Sequence, residues 1–98
     1  MVCGVRAYEK SKEKKDAEAI ADFTEAIKFD PMNAEFFDKR GSIHFNLGEF
    51  DQARKDFTEA IRLDSNQPTY FLHRGFAHEA LGKKDEAAED YTKGKSAK

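Results

Sequence analysis

Three histidines, His44, His73 and His78, are the side chains best suited to hold a metal or move protons near neutral pH. His44 and His78 stand 34 positions apart. The chain repeats with that same step, so they fall in one column and are explained by packing. His73 and His78 are five apart and share a helix face poorly. A metal centre needs convergent ligands, each held from behind by a hydrogen bond, and no such set is visible. Glu18, Asp22, Glu25, Glu86, Glu89 and Asp90 supply carboxylates, but acid–base work needs an apolar pocket that separates their pKa values. They read as solvated helix faces. There is no glycine-rich phosphate loop, no nucleophile motif and no HExxH, and Cys3 is the one thiol. The expectation is a chain with no catalytic activity, no cofactor and no metal.

Composition narrows the partners. Seventeen Lys and Arg nearly balance nineteen Asp and Glu, so no basic excess points to nucleic acid. Lys10, Lys12, Lys14 and Lys15 gather near one end and Lys83, Lys84, Lys93, Lys95 and Lys98 near the other. Acidic residues are interleaved with them, and no aromatic stacking platform accompanies them. No apolar run approaches the roughly 20 residues of a membrane-spanning helix, and MVCGVRAYEK does not read as a signal peptide. Nucleic acid and membrane are not expected as partners. A single cysteine suits a reducing, cytoplasmic location.

What positions these residues is a repeat. DFTEAI occurs at 22–27 and again at 56–61, and DYTKGK follows at 90–95, each 34 residues after the last. In the same register Arg6, Arg40 and Arg74 align, as do Asp22, Asp56 and Asp90, Ala19, Ala53 and Ala87, and Ala7, Gly41 and Gly75. Gly48 and Gly82 align with Lys14, which breaks their column. A period of this length implies stacked supersecondary units. Within one period the apolar residues follow a three-or-four rhythm, as in Phe36, Phe37, Ile43 and Leu47, then Phe50, Ala53, Phe57, Ala60 and Ile61. Helices are expected near 2–13, 16–29, 34–47, 50–63, 68–81 and 84–95, with Asn33 as an N-cap and Pro68 opening a helix.

Phe36–Asp64, reading F-F-x-x-R-G-x-x-H-x-x-L-G-E-F-D-Q-A-x-x-D-F-x-x-A-I-x-L-D, resembles a tetratricopeptide repeat (TPR), and Tyr70–Tyr91 repeats most of its columns. The first unit matches only over its second helix, Ala17–Pro31. The resemblance implies an all-α fold, a right-handed superhelical stack of antiparallel helix-turn-helix hairpins. It implies a single TPR domain over 1–98, with repeats at about 1–33 (degenerate), 34–67 and 68–98 and no separate capping helix. Small residues at Gly41, Gly75, Ala53 and Ala60 let the helices approach, and Phe57 fills the gap between the alanines. The Arg and Asp columns suggest a structural ladder of ion pairs, the alternative being that the arginines grip an acidic ligand.

The first unit departs from the pattern, with Glu13, Lys14 and Asp16 where the second has Leu47, Gly48 and Phe50. A polar-faced terminal hairpin is the expected form. The alternative is one long helix through SKEKKD, which would invite domain swapping or dimerisation. At the other end Gly94 stands where alanine is usual and is expected to weaken or fray the last helix by up to about 1 kcal/mol. That end suggests a fragment of a longer array.

The resemblance also implies a function: a protein-interaction module that receives a peptide or protein segment on the concave face lined by first helices. Helix phase carries that face onto Tyr8, Asp38, Lys39, Ser42, Phe45, Asn46, Leu72, His73, Phe76, Glu79 and Ala80. Phe45, Leu72 and Phe76 are not needed for the stripe within a hairpin and are the leading contact residues. The TPR subtype that clamps the acidic C-termini of Hsp70 and Hsp90 uses Lys and Asn. The matching positions here are Gly4, Tyr8, Lys39, Thr69 and His73, so that clamp is not expected. A homo-oligomer formed through the ends of the stack is the alternative function.

Overall fold

In the computed structural model the backbone is described for residues 2–96 and side chains for residues 14–95. Five helices follow one another: α1 (Val2–Phe29), α2 (Ala34–Asn46), α3 (Phe50–Leu63), α4 (Pro68–Ala80) and α5 (Lys84–Ser96). α2 pairs with α3 and α4 with α5 as antiparallel hairpins; α3 packs on α4, α1 on α2, and α2 borders α4. Among the described residues there is no strand. The architecture is an all-α helical-repeat stack, as expected.

Local chemistry sets the boundaries. The side chain of Asn33 accepts from the backbone N–H of Glu35 at 3.1 Å and so satisfies one of the donors left free at the start of α2. Pro68 occupies the first turn of α4, where a missing N–H costs nothing. α2 and α4 both stop at a glycine in the left-handed region, Gly48 with φ 82° and Gly82 with φ 81°. At each turn the chain reverses and the next N–H returns to the helix, from Glu49 to the His44 carbonyl and from Lys83 to the His78 carbonyl, both at 2.8 Å.

Within each hairpin a second kind of glycine sets the spacing. A Cβ on Gly41 would lie 2.8 Å from Cε1 of Phe57, and one on Gly75 would lie 2.7 Å from Cε1 of Tyr91. Ala53 and Ala60 are fully buried and Phe57 is 2% exposed between them. Burying one Phe contributes about 2–3 kcal/mol. Ala53, Phe57 and Ala77 form one cluster, with Phe45 packed on it; Ala34, Ala60 and Tyr70 form the other, with Phe37, Ile61 and Leu63 packed on it. Both join a hairpin to the next helix, so the core runs along the stack.

One expectation fails. The hairpin expected over 2–13 and 16–29 is absent, and α1 runs without a break for 28 residues. The cause is Lys14. It occupies the column of Gly48 and Gly82, and a left-handed conformation that glycine adopts freely costs a side-chain-bearing residue roughly 1–2 kcal/mol. Between Val5 and Asp30 there is neither Gly nor Pro, and SKEKKD is good helix-forming sequence. Gly94 lies inside the last helix, as the expected bounds 84–95 place it. α5 continues through it to Ser96, and a Cβ there would lie 2.6 Å from Cδ2 of Leu72 and 3.2 Å from the Pro68 carbonyl oxygen. Gly94 is where α4 and α5 approach closely, and it does not end the helix.

Candidate functional site: an aromatic pocket between α2 and α4

The first helices of the two complete hairpins, α2 and α4, lie side by side over α3. Between them is a pocket of about 200 Å³ lined by Ser42, Phe45, Asn46, Phe57, His73 and Phe76. Five of these are residues that helix phase assigns to the concave face. Phe57 is the one that sequence reasoning left in the core. It is buried, yet its ring forms the floor, with its centroid 5.4 Å from that of His73. The phase of α3 places it at the hairpin seam, where a Cβ on Gly41 would lie 2.8 Å from its ring.

The walls are aromatic. His73 stacks at 6.4 Å on Phe76, and Phe76 at 5.6 Å on Tyr91. Phe45 packs edge-on against Phe50 at 5.0 Å. Phe45 therefore serves both the core and the pocket, whereas Phe76 remains 47% exposed. His73 is fixed by Nδ1, 2.7 Å from Oδ1 of Asp38. Asp38 in turn lines a second, more open hollow of about 750 Å³ at the N-terminal ends of α2 and α4. Glu35, Lys39, Asp64 and Thr69 also line it, and its charge is predominantly acidic.

The remaining expected residues lie elsewhere. Leu72 is directed against Gly94 of α5 and belongs to the hairpin seam, which corrects its assignment to the groove. The exposed carboxylate of Glu79 accepts a 2.6 Å hydrogen bond from the Tyr91 hydroxyl. Burial, and then this bond, push the Tyr91 pKa up to about 12. Ala80 is exposed at the C-terminal end of α4. The side chain of Tyr8 lies outside the described residues.

Behind the pocket runs the ladder. Arg40 donates through Nε and Nη2 to Asp56 at 2.9 and 2.8 Å, and Arg74 to Asp90 at 3.0 and 2.9 Å. Asp56 and Asp90 are 6% and 2% exposed. The Asp56 carboxylate holds the Arg40 guanidinium more firmly protonated than usual. Each arginine also reaches the helix before it, Arg40 to Thr24 at 3.2 Å and Arg74 to Thr58 at 3.5 Å. These arginines are spent on the fold and do not point to an acidic ligand.

His44 and His78 flank the same carboxylates, with Nε2 3.9 Å from Asp56 and 3.5 Å from Asp90. Their other nitrogens differ. Nδ1 of His44 meets Glu49 at 2.6 Å. The residue in that column for His78 is Lys83, and Nδ1 of His78 is buried with no hydrogen-bond partner. Burial lowers the His78 pKa, and Asp90 opposes this only in part. Among the described residues no group of three His, Cys, Asp or Glu is placed to hold a metal ion, and no helix is long and apolar enough to cross a membrane.

Comparison with known proteins agrees with this geometry. The profile described as "TPR repeat" matches residues 41–82, and the profile described as "Tetratricopeptide repeat" matches residues 68–98. Together they span more than half of the chain. No curated protein sequence matches it. Among solved structures, the second TPR of Spaghetti (RPAP3), bound to the HSP90 peptide SRMEEVD, is 32% identical with a TM-score of 0.83, over 95% of this chain and 86% of that one. The Arabidopsis OM64 TPR domain is 33% identical with a TM-score of 0.82, over 97% and 76%. MamA shares the fold with a TM-score of 0.82 at 24% identity, and this chain spans 48% of its length.

Proposed function

The chain belongs to the tetratricopeptide-repeat family, and from that premise we propose that it is a non-catalytic module. Its ligand is a peptide or protein segment held in the groove between α2 and α4. The observation that carries this reading is the pocket over Phe57, with Phe76 half exposed at its rim. An aromatic side chain left in water beside a concave apolar floor gains most from a partner that covers it. Ser42, Asn46 and the Asp38–His73 pair supply polar groups around that floor, which fix the orientation of a bound segment.

The chemistry of the segment follows from the two hollows. The aromatic pocket takes one apolar side chain. Beside it Asp38, Glu35 and Asp64 outnumber Lys39, which favours a basic residue next to the apolar one and repels an acidic tail. SRMEEVD, the peptide held by the RPAP3 domain, has the opposite charge. The clamp-type positions here, Lys39, Thr69 and His73 among them, also lack the asparagines of that clamp. We place this protein with TPR modules that read a non-acidic sequence.

Panning a random peptide display library on the domain tests the reading. Selected peptides are expected to carry an apolar residue beside Lys or Arg, and Phe76→Ala is expected to weaken their binding at least tenfold while barely moving the melting temperature. Equal loss of both binding and stability, or selection of acidic peptides, contradicts it.

A further inference from the structure

The two complete hairpins define what each column of the repeat does. Arg40 and His44 of α2 flank Asp56 of α3, the Cα of Gly41 abuts Phe57, and Phe37 and Leu63 pack in one cluster. Shifted back by 34 residues, these relations pair Arg6 and Lys10 with Asp22, Ala7 with Phe23, and Cys3 with Phe29. Because α1 does not fold back, these partners cannot meet within one chain. Arg6 and Asp22 lie 16 residues apart in a single helix, about 24 Å along its axis.

The consequence is visible on the second half of α1. Asp22 is exposed, where Asp56 and Asp90 are buried and paired, and no ion pair to it is found among the described residues. Phe29 is 89% exposed, where Leu63 of the same column packs against Ala34, Ala60 and Tyr70. Ala19 and Ala26 are only partly covered, where Ala53 and Ala60 are fully buried. This face is built to receive a first helix and does not receive one.

We propose that the occupant is the N-terminal half of α1 from a second copy of this chain. Two α1 helices lie antiparallel about a two-fold axis near residue 15, and residues 2–13 of each copy cover 16–29 of the other. The contact is isologous and closes after two copies. Charge complementarity supports it: the columns that hold Arg40 and His44 beside Asp56 hold Arg6 and Lys10 in the first unit, so this segment offers two basic residues to the column of Asp22. The surface is separate from the groove of α2 and α4, so the proposal stands or falls apart from the peptide-binding reading.

Light scattering on the eluting protein over a hundredfold concentration range is expected to give twice the 11.2 kDa chain mass. Asp22→Arg alone and Arg6→Asp/Lys10→Glu together are each expected to give monomers, because both copies then present like charges. An equimolar mixture of the two variants is expected to recover a dimer of one of each. A wild-type monomer throughout, or a mixture that stays monomeric while its members are folded, overturns the proposal. Phe29→Cys keeps it falsifiable should the charge variants not fold. On mild oxidation Cys3 of one copy is expected to link to the new thiol of the other, giving a covalent dimer that wild type does not form. A disulfide within one chain, or no link, overturns it.

Discussion

Alanine at Gly41 would bring its Cβ within 2.8 Å of the Phe57 ring, so the buried ring or the helix itself must shift. Gly41→Ala is therefore expected to cost about 1–3 kcal/mol in urea unfolding. Asp56→Asn leaves Arg40 with a neutral partner in a buried place, and about 3 kcal/mol is expected. Charge reversal of Arg40 and Asp56 together should recover part of what either reversal loses. His78 makes a pH prediction. Its pKa is lowered in the folded protein by burial, below the ordinary 6.5. The unfolded chain then binds the proton first, and stability is full above pH about 6.5 and is lost as pH falls through the folded value. Lys83→Glu gives Nδ1 the acceptor that Glu49 gives His44. It is expected to raise the His78 midpoint in an NMR titration, flatten the pH dependence between pH 7 and 5.5, and add about 1 kcal/mol. The Arg–Asp pairing was legible as two columns in step. The orphaned nitrogen was not, because it depends on burial.

At the scale of elements, α2 to α5 fall within about a residue of the helices read from periodicity, since apolar spacing, Asn33, Pro68 and the turn glycines all agree there. α1 departs because periodicity records which face is apolar but not whether the chain reverses between two such faces. Reversal is decided by one residue, and Lys14 stands where Gly48 and Gly82 turn the chain. Glu13→Leu/Lys14→Gly installs the Leu-Gly of the other two turns. It is expected to close α1 into a hairpin, bury Phe29, and render the protein monomeric. Donor and acceptor dyes on Cys3 and a Phe29→Cys thiol should then report a distance near 10 Å within one chain in place of the roughly 40 Å of a 26-residue helical span.

Taken whole, the molecule is longer than a globule of its size, with a radius of gyration of 14.8 Å against about 13 Å for 100 residues. Helix phase put Ser42, Phe45, Asn46, His73 and Phe76 on one face, and these five line one pocket. Leu72 lies instead against Gly94 in the hairpin seam, and Phe57, core as expected, also lines the pocket; phase carries no depth. The central claim is that this pocket is where a partner binds. Its most direct measurement is an amide chemical-shift map on adding a peptide selected from the library. Shifts concentrated at Ser42, Asn46, His73 and Phe76 are predicted; shifts confined to the outer face of α5, around Ala88 and Thr92, would contradict it.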